Sequence, residues 1–396
     1  MTQPDWPCLR GHTILQVIPD LAAGGAERTT IEMAEAVHQA GGRALVVSEG
    51  GRLEGRLTAA GGELIRLPVA GKSPTTLIRN AARLAKLIRS EEVSLVHARS
   101  RAPAWSALWA CKLSRVPFVT TYHGAYSGKT RIKRFYNSIM ARGTRVIANS
   151  NWTADHVMAT HGTSAERIVT IPRGVDFSIF DPDNINGARL TALARSWNIA
   201  DEDERMIILL AGRLTSWKGQ LLAVNAMAQL SRNEQEGLHL VLAGDAQGRT
   251  DYLRQIENSI MNQGLAGVVS IVGHCEDMAA AYRLSDIVMA PSQRPEAFGR
   301  VAVEASAMGR PVIVSDHGGQ RETVLEGETG ARAEPGSVES LAACLRMLVN
   351  LPPEAREAMG RTGQTFVRER FSRAQLQRAT LAVYQDVLNT KSLVES

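Results

Sequence analysis

Two carboxylates, Glu296 and Glu304, stand with seven residues between them in the run PSQRPEAFGRVAVEASAMGRP, residues 291–311. Pro295 and Gly299 place Glu296 in a loop, whereas RVAVEASAM reads as a short helix stopped by Gly309, with Pro311 just beyond. Glu304 then falls in the second turn of that helix, and the free N–H groups near Gly299, Arg300 and Val301 point back at the loop. Such an N-terminus favours an anion, because its first amides lack intrahelical partners and sit at the positive end of the helix dipole. A carboxylate one turn further in is suited to accept from two vicinal hydroxyls, as a ribose presents them, while the amides hold phosphate.

The segment PEAFGRVAVEA followed by MGRPVI resembles the Glu-seven-residues-Glu signature of retaining glycosyltransferases of family 4, which have the GT-B fold. The resemblance implies two doubly wound Rossmann-like α/β domains facing a cleft, with the C-terminal helix crossing back to the first. It implies that Glu304 binds the ribose of a nucleotide sugar and that Glu296 contacts the donor sugar near the reacting carbon, with Phe298, Gly299, Arg300 and Val301 around them. In AGRLTSWKGQ (211–220), Arg213 and Lys218 match the family's Arg and Lys that neutralise the diphosphate. The chemistry asks for such cations: the leaving diphosphate gains charge as the sugar bond breaks, and preorganised cations stabilise it.

Further donor-site residues follow from the same resemblance. The loops LAGDAQGR (242–249) and VGHCEDM (272–278) line the family's nucleobase pocket, largely through backbone, which points to Gly244, His274 and Cys275. His123 in TTYHG matches a histidine commonly found at the end of that strand, close to the donor sugar and phosphate. Gly24-Gly25 admits two readings, a tight turn or backbone amides that approach the donor phosphates, and the resemblance favours the second. It is not a GxGxxG run, so no dinucleotide cofactor is inferred. One departure is Arg173 in IPRGVD, where relatives often carry Asn.

No metal or cofactor is expected: the donor is a UDP- or GDP-sugar, and Arg213 and Lys218 supply the charge that a metal would. Asp181-Pro182-Asp183 reads as a turn in a linker, and His156 and His161 have no partner in the sequence that would complete a metal site. The four cysteines, Cys8, Cys111, Cys275 and Cys344, show neither pairing nor metal spacing, which fits a reducing, cytoplasmic compartment.

Charge is unevenly spread. Residues 1–180 hold 23 Lys and Arg against 13 Asp and Glu, while residues 181–396 hold 22 against 27. Between Glu92 and Asp155 there are ten cations and no acid. Within that stretch Arg99 and Arg101, at a strand end, suit an anionic acceptor such as a phosphorylated sugar. GKTRIKRFYNS (128–138), with Lys129, Arg131, Lys133 and Arg134 interleaved with Phe135 and Tyr136, suits anionic lipid. The bland alternative is a solvated basic face. No nucleic-acid motif is present.

The elements that must carry these residues alternate strand and helix. HTILQVIPD, RALVVSE, ELIRLPV, VSLVHARS, PFVTTYH, TRVIANS and IVTIPRGVD are predicted strands of a first parallel sheet, expected over 1–178. MIILLAGRL, LHLVLAGD, VVSIVGH, DIVMAPS and PVIVSD begin a second, over 179–373, with FDPDNINGA as linker and a last helix at about 374–394 returning to the first domain. At 396 residues two or three domains are expected, and no apolar run reaches membrane-spanning length. The N-terminus shows no secretory signal. The reading is a retaining, metal-independent transferase that moves a hexose-type sugar from a nucleotide diphosphate sugar to a glycan or lipid-linked acceptor. By resemblance it serves lipopolysaccharide core or surface polysaccharide synthesis at the inner face of the cytoplasmic membrane. The rivals are a non-hydrolysing sugar-nucleotide epimerase and a non-catalytic scaffold that binds nucleotide sugar or membrane.

Overall fold

The computed structural model describes residues 6–22, 24–124, 126, 130–200 and 202–395. Contacts divide the chain into one unit of residues 1–172 and 373–396 and a second of residues 173–372. The last helix therefore belongs to the first unit.

The first unit is a seven-stranded parallel sheet. Its strands are β1 (Thr13–Val17), β2 (Arg43–Ser48), β3 (Gly62–Arg66), β4 (Val93–Ala98), β5 (Phe118–Tyr122), β6 (Arg145–Ala148) and β7 (Ile168–Thr170), in the order β3-β2-β1-β4-β5-β6-β7. The central strands are apolar along their length because helices cover both faces, so alternation gives way to runs such as TILQV. The helix Arg373–Glu395 joins one face, burying Leu381, Tyr384 and Val387 in a cluster with Ile14, Met33 and Val37. Each large apolar side chain so buried contributes roughly 1.5–3 kcal/mol.

The second unit is a six-stranded parallel sheet of β8 (Met206–Ala211), β9 (Leu238–Ala243), β10 (Val269–Gly273), β11 (Ile287–Ala290), β12 (Val312–Ser315) and β13 (Gly330–Ala333), ordered β10-β9-β8-β11-β12-β13. The stretch expected as a linker is instead part of this unit. Phe180 and Ile185 are buried in its core, and Val175 N–H donates to Phe371 O at 2.7 Å. Asp181 accepts from the Asp183 amide and opens a single 3₁₀ turn, Pro182–Asn184, as the turn reading implied.

Each sheet reverses its strand order once, between β1 and β4 in the first unit and between β8 and β11 in the second. Loops leaving the carboxyl ends of the strands on either side of a reversal run in opposite directions and leave a crevice, where such sheets bind ligands.

Candidate active site

At the second unit's reversal, the loop after β8 carries Arg213 and Lys218, and the loop after β11 carries Glu296. Lys218 ends a 3₁₀ turn, Ser216–Lys218, and Gly219 then takes φ +84° to turn the chain into the helix Gln220–Ala228. A Cβ at Gly219 would lie 2.2 Å from Pro291 O, so only glycine lets the two loops approach this closely. Gln293 N–H donates to Trp217 O at 2.7 Å and fastens them.

The result is an ion pair between the loops: Lys218 Nζ donates to Glu296 Oε1 at 2.7 Å, with the two side chains 15% and 16% exposed. Ser292 Oγ donates to the same oxygen. Lys218 Nζ also lies 4.6 Å from the centroid of Trp217, whose face favours a cation. The Glu296 backbone is fixed as well, its carbonyl accepting from Gly319 N–H at 2.7 Å.

Glu304 lies on the helix Arg300–Ala307, in its second turn, as the spacing predicts. Gly299 caps this helix at φ +112°, where a Cβ would lie 2.7 Å from Gln320 Cβ. The helix stops where Gly309 takes φ +71° and donates to Ser306 O at 2.9 Å. The Arg300 and Val301 amides are in the first turn, without intrahelical acceptors. The Glu304 carboxylate is bound on both oxygens, Oε1 by Arg300 Nη2 at 2.7 Å and Oε2 by the Tyr282 hydroxyl at 3.1 Å.

The structure locates the other expected site residues. The Phe298 side chain is 4% exposed and packs edge-on against Phe371, 5.5 Å between centroids. Arg213 is exposed and, among the described residues, has no side-chain partner; it lines a cavity of about 570 Å³ with Trp217, Arg249, Tyr252 and Gln255, while Lys218 pairs with Glu296. Gly244 has a packing reason of its own, since a Cβ there would lie 1.9 Å from Gly212 O. His274 is exposed and Cys275 buried, its thiol pushed up to about 11 by that burial. Both line a cavity of about 490 Å³ with Arg189, Leu193, Trp197 and Asp277. Arg173 is half-buried at the start of the second unit.

At the first unit's reversal the picture differs. Arg99, expected as a cation presented to an acceptor, is only 2% exposed; Nε and Nη2 donate to Gln16 Oε1 at 2.8 and 2.7 Å, and among the described residues no carboxylate forms an ion pair with it, although the Glu32 charge acts on it from further away. Beside it His97 is bound on both nitrogens, to Tyr384 OH at 2.6 Å and Thr121 Oγ1 at 2.7 Å. Burial first, then the charges of Arg99 and His123, hold His97 well below the usual histidine range, so it is neutral. His123 itself directly follows β5 and is half-buried. Gly24 caps the helix Gly25–Gln39 at an ordinary φ of −78°, and a Cβ there would meet only the flexible Glu27 carboxylate.

Arg101 is also occupied rather than free on the surface, donating to Asn137 Oδ1 at 2.7 Å and lying 4.1 Å over the Tyr126 ring. Arg131, Lys133 and Arg134 are exposed on the helix Arg131–Asn137 beside Ile132 and Phe135, which are 83% and 60% exposed. Lys129 lies outside the described residues. Among the described residues no three His, Cys, Asp or Glu side chains gather as metal ligands. No described helix is long and apolar enough to cross a membrane.

Two parallel-sheet α/β units carry a lysine–glutamate pair and a second glutamate at one reversal, and comparison places this architecture. Residues 195–366 match the family described as Glycosyl transferases group 1, and residues 23–178 match Glycosyltransferase Family 4. A glycosyltransferase from Rickettsia africae ESF-5 is 33% identical, with a TM-score of 0.86 over 95% of this chain and 98% of that one. Anabaena Alr3699/HepE in complex with UDP-glucose is 25% identical, with a TM-score of 0.78 over 96% of this chain and 99% of that one. A D-inositol 3-phosphate glycosyltransferase 1 from Catenulispora acidiphila is 30% identical over 64% of this chain and 59% of its own length. The chain thus spans about three fifths of that curated relative. The chain belongs to the glycosyltransferases of GT-B type, with a Family 4 domain and a group 1 domain.

The sequence reading missed Ser292 and Tyr282 in the second unit and Gln16, His97, Thr121 and Tyr384 in the first. Only Ser292 carried a signal, its place four residues before Glu296 in a loop already singled out.

Proposed function

We propose that this chain transfers a hexose-type sugar, with retention and without a metal, from a nucleotide diphosphate sugar to a glycan or lipid-linked acceptor. Lipopolysaccharide core or surface polysaccharide synthesis at the inner face of the cytoplasmic membrane is the setting. The observation that carries the reading is the Lys218–Glu296 pair at the β8/β11 reversal, with Glu304 bound in place on the next helix. In this reading the diphosphate competes with Glu296 for Lys218. The freed carboxylate then faces the donor sugar, and Arg213, which has no side-chain partner among the described residues, swings to the same phosphates.

As the glycosidic C–O bond breaks, its electron pair stays on the β-phosphate oxygen. Lys218, Arg213 and the Arg300 and Val301 amides stabilise that charge. The acceptor oxygen bonds to the anomeric carbon on the face the phosphate leaves, and the acceptor proton passes to a phosphate oxygen, so no protein nucleophile is needed. The solved relative holding UDP-glucose supports a nucleotide-sugar donor. Gly24, whose backbone geometry does not require glycine, is assigned with Gly25 to amide contact with the donor phosphates.

A second reading of the acceptor has its own observation. Arg99 is a buried cation at the first unit's reversal with no ion-paired carboxylate among the described residues, and a curated relative is named for inositol 3-phosphate, a phosphorylated polyol. A phosphorylated acceptor therefore competes with the lipid-linked one.

The test is a thermal-shift panel of UDP-, GDP- and ADP-sugars followed by turnover in EDTA. One donor at a hundred times its dissociation constant should stabilise the protein by about 2.7 kcal/mol, and activity should survive chelation. No stabilisation by any of them would sink the donor reading. Turnover lost in EDTA and restored by Mg²⁺ or Mn²⁺ would sink the metal-independent one. An epimer formed from the nucleotide sugar alone would mark the epimerase instead.

A further inference from the structure

Tyr282 lies on the helix Met278–Leu284, just before β11, and is 1% exposed. Its ring packs 6.0 Å from that of Phe180, and its hydroxyl donates to Glu304 Oε2 at 3.1 Å. Glu304 is itself 8% exposed, and its other oxygen is held by Arg300, one turn earlier on the same helix. A buried tyrosine hydroxyl needs a partner, and the core offers many backbone carbonyls; here it spends its one proton on a carboxylate.

We infer that Tyr282 is a positioning residue that presents Glu304 to the ribose of the nucleotide, so that the site selects ribonucleotides over 2′-deoxyribonucleotides. The inference rests on the assignment of Glu304 to ribose made above. An ionised carboxylate has about four acceptor positions over its two oxygens. Tyr282 takes one on Oε2 and Arg300 one on Oε1, which leaves one on each oxygen. That remainder matches two vicinal hydroxyls, each donating once. Holding both oxygens also fixes the rotation of the carboxylate, which is otherwise broad about its last torsion. Burial, then the neighbouring Glu304 charge, raises Tyr282 well above the usual tyrosine range, so its hydroxyl stays protonated and donates. Arg300 is partly exposed and the ion pair alone does not fix the carboxylate plane; the buried hydroxyl is the rigid half of the clamp.

The experiment titrates wild type, Tyr282→Phe and Glu304→Ala with UDP, GDP and their 2′-deoxy forms by calorimetry. Wild type should bind the ribo form of its base roughly 10–100-fold more tightly than the deoxy form, as expected for one hydrogen bond to a charged acceptor. Tyr282→Phe, which keeps the ring and its packing, should cut that preference by roughly threefold or more. Glu304→Ala should bring it near unity. If Glu304→Ala keeps the wild-type preference, the ribose assignment is wrong and the role of Tyr282 falls with it. If Glu304→Ala abolishes the preference but Tyr282→Phe weakens ribo and deoxy forms by the same factor, Tyr282 only packs the core and the inference is overturned.

Discussion

The reversal of strand order between β1 and β4 and that between β8 and β11 occupy equivalent places in two parallel sheets, yet they are furnished in opposite ways. In the second unit a cation and a carboxylate meet, Lys218 and Glu296, each about one-sixth exposed and reachable by a ligand. In the first unit the cation, Arg99, is buried and rests on neutral groups: Gln16, Thr121 and, through them, a neutral His97 and Tyr384. Burying a charge without a counter-charge is costly, and a fold tolerates it where hydrogen bonds and a visiting anion offset the cost. The comparison separates two ways of holding a cation. One site holds its cation in an ion pair with a carboxylate, and the other holds its cation mainly on neutral hydrogen-bond partners.

The sharpest way to break this comparison is at the displaced pair. Lys218→Ala and Arg213→Ala should each lower kcat by roughly 10²–10³-fold, the usual cost of one preorganised charge donor, measured by steady-state turnover. Glu304→Ala should instead act on donor KM, because ribose contacts differ little between ground and transition states. A kcat near wild type in both cation variants would remove the diphosphate from this crevice.

A smaller but still large effect is expected from the exposed helix Arg131–Asn137, which belongs to neither reversal. Each cation near an anionic surface contributes about 1 kcal/mol, fading over a Debye length of about 8–10 Å. Changing Lys129, Arg131, Lys133 and Arg134 together to Ser should sharply reduce co-sedimentation with anionic vesicles at low salt and leave turnover of a soluble acceptor nearly unchanged. Equal partition of the wild type onto neutral and anionic vesicles would make this an ordinary solvated face.

Arg99→Met sharpens the contrast itself. An apolar side chain of similar length removes a buried charge that is held without an ion pair among the described residues, so thermal stability should hold or rise. If the cation is kept for an anionic acceptor, acceptor KM should nevertheless rise about tenfold, the free-energy equivalent of one charged hydrogen bond. Unchanged acceptor kinetics with a raised melting temperature would reduce Arg99 to a relic of packing.

The smallest effect is on pH dependence. His97 is depressed in the folded state and ordinary, near 6.5, when unfolded. Its contribution is therefore fully present above about pH 7 and is lost as pH falls below 6.5, because unfolding then takes up a proton. The slope is up to about 1.4 kcal/mol per pH unit for one such group. His156, His161 and His239 shift in the same direction, so His97→Gln should shallow the acid loss of stability in denaturant melts between pH 7.5 and 5.5, not abolish it. An unchanged slope would show that His97 is not neutral in the fold.

What was visible in the sequence was whatever depends on local order along the chain. Apolar runs such as MIILLA and LHLVLA declared buried parallel strands, and Gly309 with Pro311 ended the helix that carries Glu304. The Glu296–Glu304 spacing and the Arg213–Lys218 spacing survive folding because each lies within one loop-and-helix segment. Three things were decided only in three dimensions. Phe298 sits in the same motif as Glu296, yet its side chain turns into the core, because Phe371, distant in sequence, is there to meet it. Arg99 reads as a cation at a strand end, and only the Gln16 and Thr121 side chains of neighbouring strands show that it is buried. Tyr282 and Tyr384 lie on unremarkable helices and become partners of Glu304 and His97 across 22 and 287 residues of chain. Periodicity and spacing are properties of the chain and can be read from it. Which face of a residue is buried, and which distant proton meets which lone pair, depends on contacts that no local pattern encodes.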